Sequence, residues 1–204
     1  MIIKPPEGKV TRSWIEKVLE RHHIDHSQWG TGTTLSLARL CKRMKEEQVY
    51  FEEIDGTLRL VMHVVEVRIK YIGKLGTKIL VEKDQFFYQS GDILKRGYPR
   101  VSETALKDEE PKRTAERALA EELSQTQSSF KDPTKYGELR PIGQSKELPR
   151  TSNKWPPLQV QIIKTAFELS IDDTLYRDQY VEEQFDDCGN PLKRTTFEWE
   201  DCQK

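Results

Sequence analysis

Carboxylates carry the most informative chemistry in this chain. Glu109 is followed, after seven residues, by the run Arg117-Ala118-Leu119-Ala120-Glu121-Glu122. Glu109-Glu110-Pro111 places negative charge and a proline together, both favoured where a helix begins. Ala115, Ala118, Leu119 and Leu123 then recur at helical spacing, which predicts a helix from Glu109 to about Ser124. On such a helix residues four apart share a face, so Arg117 and Glu121 are neighbours. A cluster of carboxylates on one helix is suited to Mg²⁺, which takes hard oxygen ligands from a few side chains and from substrate phosphates. The plainer alternative is a solvated surface helix with an Arg117–Glu121 pair worth roughly a few tenths of a kcal/mol.

The same segment resembles the Nudix box of the Nudix hydrolases. That box reads Gly, five residues, Glu, seven residues, Arg-Glu, an apolar residue, any residue, Glu-Glu, any residue, Gly, and an apolar residue. Thr77 to Lys83 is similar to the strand that leads into the box, and Leu58 to Leu169 is long enough to hold a whole Nudix core. The resemblance implies an α+β protein, a Nudix-like α/β/α sandwich with a mixed sheet and an N-terminal two-helix extension. It implies hydrolysis of nucleoside diphosphates linked to another group, with Mg²⁺ or Mn²⁺ as cofactor. It implies Glu121 and Glu122 as metal ligands, Glu122 as the catalytic residue, and Glu109 and Arg117 as structural residues tying the preceding loop to the helix. Substrate-binding residues stay unassigned.

The chain departs from the box where the metal would bind. Ala118 stands at the position of a principal metal ligand, so Glu122 lacks its partner one turn away. Glu103 stands at the first Gly, and Ser124 and Gln125 replace the final Gly and apolar residue. Two functions follow. One is a weak or atypical metal-dependent hydrolase of nucleoside diphosphate derivatives, with Glu103 or Glu147 supplying the missing carboxylate. The other is a catalytically inactive ligand-binding or protein-interaction module that needs no cofactor. Ala118 favours the second, the Glu121-Glu122 doublet the first. An unrelated α+β protein is the third alternative. Glutamate at position 118 is expected to restore a ligand.

Elements able to position this helix are legible around it. Val10, Trp14, Ile15, Val18 and Leu19 predict one helix, with Thr11 or Ser13 as N-cap. Leu37, Leu40, Cys41 and Met44 predict a second, after the connector Gly30-Thr31-Gly32-Thr33. Asp55-Gly56 marks a hairpin turn. Leu58 to Ile72 alternates in two phases that slip at Val64-Val65, which suggests a bulge or a strand buried on both faces. Thr77–Val81, Phe86–Tyr88, Ile93–Arg96, Tyr136–Ile142, Leu158–Leu169 and Thr195–Trp199 are further strand candidates, and Ser124 to Trp155 is mostly loop. The order, strands around one central helix, is an α+β pattern. Residues 1–46 are read as a helical extension, and 47–204 as a Nudix-like domain with an acidic C-terminal segment.

Composition excludes several classes. The 204 residues carry 33 basic and 34 acidic side chains, a net charge of −1. Ten acids stand against four bases between Ile171 and Lys204. Neither part is basic enough for duplex nucleic acid, while a phosphorylated small molecule is allowed, and the Nudix resemblance implies a nucleotide-like one as partner. No apolar run approaches the roughly 20 residues of a membrane helix, and no signal-peptide stretch opens the chain. Three dispersed cysteines suggest neither a disulfide scaffold nor a zinc site, so a cytoplasmic location is expected. Weaker candidates are the histidines His22, His23 and His26, the bases Lys95, Arg96 and Arg100 as phosphate contacts, His63 as a core histidine, and Trp155-Pro156-Pro157 as a packed loop anchor.

Overall fold

A computed structural model of the chain describes residues 1–32, 34–186 and 188–202. Thr33 of the predicted connector lies outside them. In chain order the elements are β1 (Ile2–Ile3), α1 (Arg12–Arg21), α2 (Leu37–Lys45), β2 (Val49–Ile54), β3 (Thr57–Gly73), β4 (Gly76–Phe87), β5 (Ile93–Tyr98) and β6 (Val101–Thr104). They continue with α3 (Pro111–Leu123), β7 (Arg140–Lys146), β8 (Arg150–Thr151), β9 (Gln159–Ile171), β10 (Gln179–Phe185) and β11 (Pro191–Asp201). The protein is therefore α+β. Among the described residues no helix is long and apolar enough to cross a membrane.

The chain forms two compact units. The first comprises Met1–Val64, Thr104–Glu109 and Gln144–Lys164. Its core gathers Ile15, Val18 and Leu19 of α1, Leu37, Leu40 and Met44 of α2, Phe51 of β2 and Trp155. Both helices begin as their sequences dictate: Thr11 Oγ1 accepts from Trp14 N, and Ser36 accepts from Arg39 N. Asp55 and Gly56 both take positive φ, which is the backbone that a tight β2–β3 turn needs. Trp155, only 1% exposed, donates from its indole to Ser36 O, so the predicted loop anchor is present.

The second unit comprises Val65–Glu103, Glu110–Gly143 and Thr165–Lys204. Within it β10 pairs with β11, β11 with β4, and β4 with both β5 and the end of β3, all antiparallel. The two-phase pattern of β3 is real: Leu58 and Leu60 are buried in one phase, and Val65, Val67, Ile69 and Tyr71 in the other.

Three strand expectations need correcting. The strand expected at Tyr136–Ile142 begins only at Arg140 and runs on to Lys146 as β7. β4 is one strand of 12 residues where the sequence suggested two pieces split at Glu82–Gln85. The charges do not break it because each finds a cross-strand partner: Asp84 meets Lys95, Glu82 meets Arg96, and Lys83 meets Glu200. Most of the acidic C-terminal segment is the β10–β11 hairpin, longer than the strand predicted at Thr195–Trp199.

Candidate functional site

The site in the second unit begins with α3. Pro111 at its first turn fixes the start, so Glu109 precedes the helix. Ala115, Ala118, Leu119 and Leu123 form its buried face, as the spacing predicted, together with Thr114, and α3 packs on β10. Ala118 has no exposed surface. The position that would carry a metal ligand in the Nudix box thus faces the packed interior. A glutamate there would have to bury its carboxylate, against the expectation that it would simply restore a ligand.

Arg117 and Glu121 lie on the helix's outer side. Arg117 Nη1 is 3.6 Å from both Glu103 Oε1 and Glu121 Oε1. Burial and the neighbouring Glu103 raise the Glu121 carboxyl above its ordinary range, against the pull of Arg117. Glu109 accepts a hydrogen bond from Leu106 N at 3.0 Å and belongs to the first unit.

Glu122 meets a different environment. Burial pushes its carboxyl up to about 8, and repulsion from Glu182, Glu82 and Glu103 adds to the rise, while Lys193 opposes it. Glu182 and Glu82 lie on the two strands that flank β11. Glu182 on β10 stands opposite Thr195 on β11, which stands opposite Gln85 on β4. Glu182 is 5% exposed and Thr195 1% exposed, yet among the described residues Glu182 Oε2 and Thr195 Oγ1 have no hydrogen-bond partner. An unpaired buried oxygen is costly, and buried polar groups are otherwise almost always satisfied. Glu82 is better provided for: Gln85 Nε2 donates to its Oε1 at 2.7 Å, and Arg96 Nε lies 3.1 Å away.

This donor set suits a hard cation in kind. It offers buried carboxylate oxygens, one of them without a donor among the described residues, and excess negative charge. In spacing it is loose. Among the described residues no three His, Cys, Asp or Glu side chains converge closely enough to hold an ion. Sequence reasoning missed Glu182 and Glu82. Their only signal was alternation, Glu182 sharing a face with Tyr180 two residues before it.

The remaining candidates lie elsewhere. Glu147 is in the first unit, 2.7 Å from Lys164. Lys95, Arg96 and Arg100 are each paired with a carboxylate, Asp84, Glu82 and Glu66 respectively. α1 ends at Arg21, His22 caps it, and His23 takes positive φ, so the histidines share no helical face. His63 is exposed, contrary to the core role expected, with Nε2 3.3 Å from Tyr50 Oη.

No family model matches this chain, and no curated protein matches it. Among solved structures, the crystal structure of a mutT/nudix family protein from Listeria innocua is similar at 20% identity and a TM-score of 0.37. The match covers 56% of this chain and 67% of that one. A superposition this loose carries no argument.

Proposed function

We propose that the chain is a Nudix-like protein with a weak divalent-cation site and slow or absent hydrolysis of nucleoside diphosphate derivatives. The supporting observation is the crowding at Glu122, a half-buried carboxyl raised to about 8 under the influence of Glu182, whose Oε2 has no donor among the described residues. Mg²⁺ or Mn²⁺ would be held by Glu122 and Glu182, with Glu182 taking the role vacated at Ala118. Glu121 would be a weaker third ligand, because adjacent helix residues point about 100° apart. A bound cation would supply charge to phosphate oxygens and lower the pKa of its water. Arg117 shapes the outer side of the helix. Glu103, next to Arg117, adds negative charge at longer range.

The test is turnover of nucleoside diphosphate sugars, dinucleoside polyphosphates and nucleoside triphosphates with Mg²⁺ or Mn²⁺. Rates near background are expected. Robust turnover abolished by Glu122→Gln would overturn the slow-site account. The burial of Ala118 also favours a second function, an inactive binding or interaction module. Failure of the protein to bind Mn²⁺ at all would select it.

A further inference from the structure

We propose that one end of the sheet in the second unit is a self-association surface, occupied by a second copy of this chain. The register defines the face. Phe86 on β4 stands opposite Ile93 on β5 and Arg194 on β11, and Arg194 stands opposite Glu183 on β10. Residues opposite one another in a sheet share a face, as do residues two apart on a strand. Tyr88, two on from Phe86, and Phe185, two on from Glu183, extend it. Leu192 borders it where the register shifts and Phe185 pairs with Pro191. Glu182 and Thr195 alternate with these residues, point to the opposite face and are buried.

The face is apolar and open. Ile93 is 59% exposed, Phe185 53% and Leu192 46%, while Phe86 and Tyr88 are half-buried. Its aromatic pair is already ordered. The Phe86 and Tyr88 rings meet edge to face at 5.0 Å, and Tyr88 donates its hydroxyl to Glu183 Oε1 at 2.7 Å. Arg194 Cζ lies 5.5 Å from the Phe86 ring centroid. Side chains fixed in this way lose little freedom when a partner docks. Contiguous exposed apolar groups mark an interaction surface, whereas scattered ones do not.

Charge selects the occupant. Between Asp84 and Tyr88 the face carries Lys95 and Arg194 against Asp84 and Glu183. Lys95 pairs with Asp84 at 2.9 Å. Arg194 and Glu183 stand side by side among the aromatic rings. A polyanion or a polycation gains nothing from this balance. A second copy does, because in a two-fold contact each patch meets its own image. Arg194 of each protomer then faces Glu183 of the partner subunit. The two sheets stack face to face, about 10 Å apart. The patch belongs at the small end of specific interfaces, below about 1,200 Å² in total, so the dimer is weak and reversible.

The test is sedimentation equilibrium of the full chain from about 1 μM to about 1 mM, where a dimer with a Kd on the order of 0.1 mM is expected. Ile93→Lys and Phe185→Lys, made singly, should each raise that Kd on the order of tenfold or more, because each brings an unpaired charge into the contact. Leu75→Lys, at an exposed apolar position of the β3–β4 turn, should leave it unchanged. Arg194→Glu should weaken the dimer, and Arg194→Glu/Glu183→Arg should restore it. Amide hydrogen exchange of the natural protein needs no variant. Peptides 86–93 and 188–194 should exchange more slowly at high concentration, and peptide 72–75 should not. A monomer throughout the range, whether or not it retains a single-stranded oligonucleotide, would overturn the proposal. So would a dimer that neither Ile93→Lys nor Phe185→Lys weakens, or one that Leu75→Lys disperses equally.

Discussion

Ala118 and Glu122 are one helical turn apart, the first fully buried in the second unit and the second half-buried. Ala118 fits there because it is small and apolar. Glu122 is a half-buried carboxyl, and loss of solvent together with the neighbouring Glu182, Glu82 and Glu103 makes it resist ionisation. A carboxyl raised to about 8 in the folded state, against about 4.3 when unfolded, takes up a proton on folding between those values. Its contribution to stability is therefore fully present below about pH 4.3 and is lost as the pH rises through about 8. Melting temperatures of the natural protein should fall over that window more steeply than those of Glu122→Gln. Parallel curves would show that Glu122 titrates normally. Ala118→Glu should destabilise by roughly 2–5 kcal/mol, because it overfills a packed position and buries a charge. Chemical denaturation of the two proteins measures this directly, and an unchanged midpoint would place residue 118 at an accessible surface.

At the level of elements, α3 and the edge of β10 decide whether Glu122 and Glu182 meet. The segment after α3 clasps that edge with side chains. Gln125 donates to Glu183 O and accepts from Glu183 N, both at 2.8 Å. Thr126 Oγ1 accepts from Val181 N at 2.8 Å and donates to Val181 O at 3.2 Å. These groups stand in for a neighbouring strand on an edge that would otherwise be open to pairing with another chain. Gln125→Ala should cost about 1–2 kcal/mol and speed hydrogen exchange at the Glu183 amide. No change in that exchange would show the clasp to be dispensable. Arg117→Ala should cost roughly 1 kcal/mol, since its partners are partly exposed, and a thermal melt checks it. α3 and the β2–β3 hairpin were legible because helical period, Pro111 and Asp55-Gly56 are local signals. β10 and the continuity of β4 were not. Their charged residues look solvated in sequence and become tolerable through cross-strand partners such as Arg96 and Lys95, which only the register reveals.

For the whole molecule, the cores of the two units follow from apolar spacing, while the candidate site draws its charges from β4, β6, α3, β10 and β11. Glu109, Arg117, Glu121 and Glu122 could be picked out as a group because they are close in sequence. Glu82, Glu182 and Lys193 could not, because their proximity to Glu122 exists only after the hairpins close. The function proposed turns on whether buried carboxylates that repel one another accept a divalent cation. Mn²⁺ binding to the natural chain and to Glu122→Gln/Glu182→Gln, measured side by side by isothermal titration calorimetry, tests this most directly. Weak binding by the natural protein that is lost in the double variant is the predicted result. Equal binding by the two proteins would contradict it.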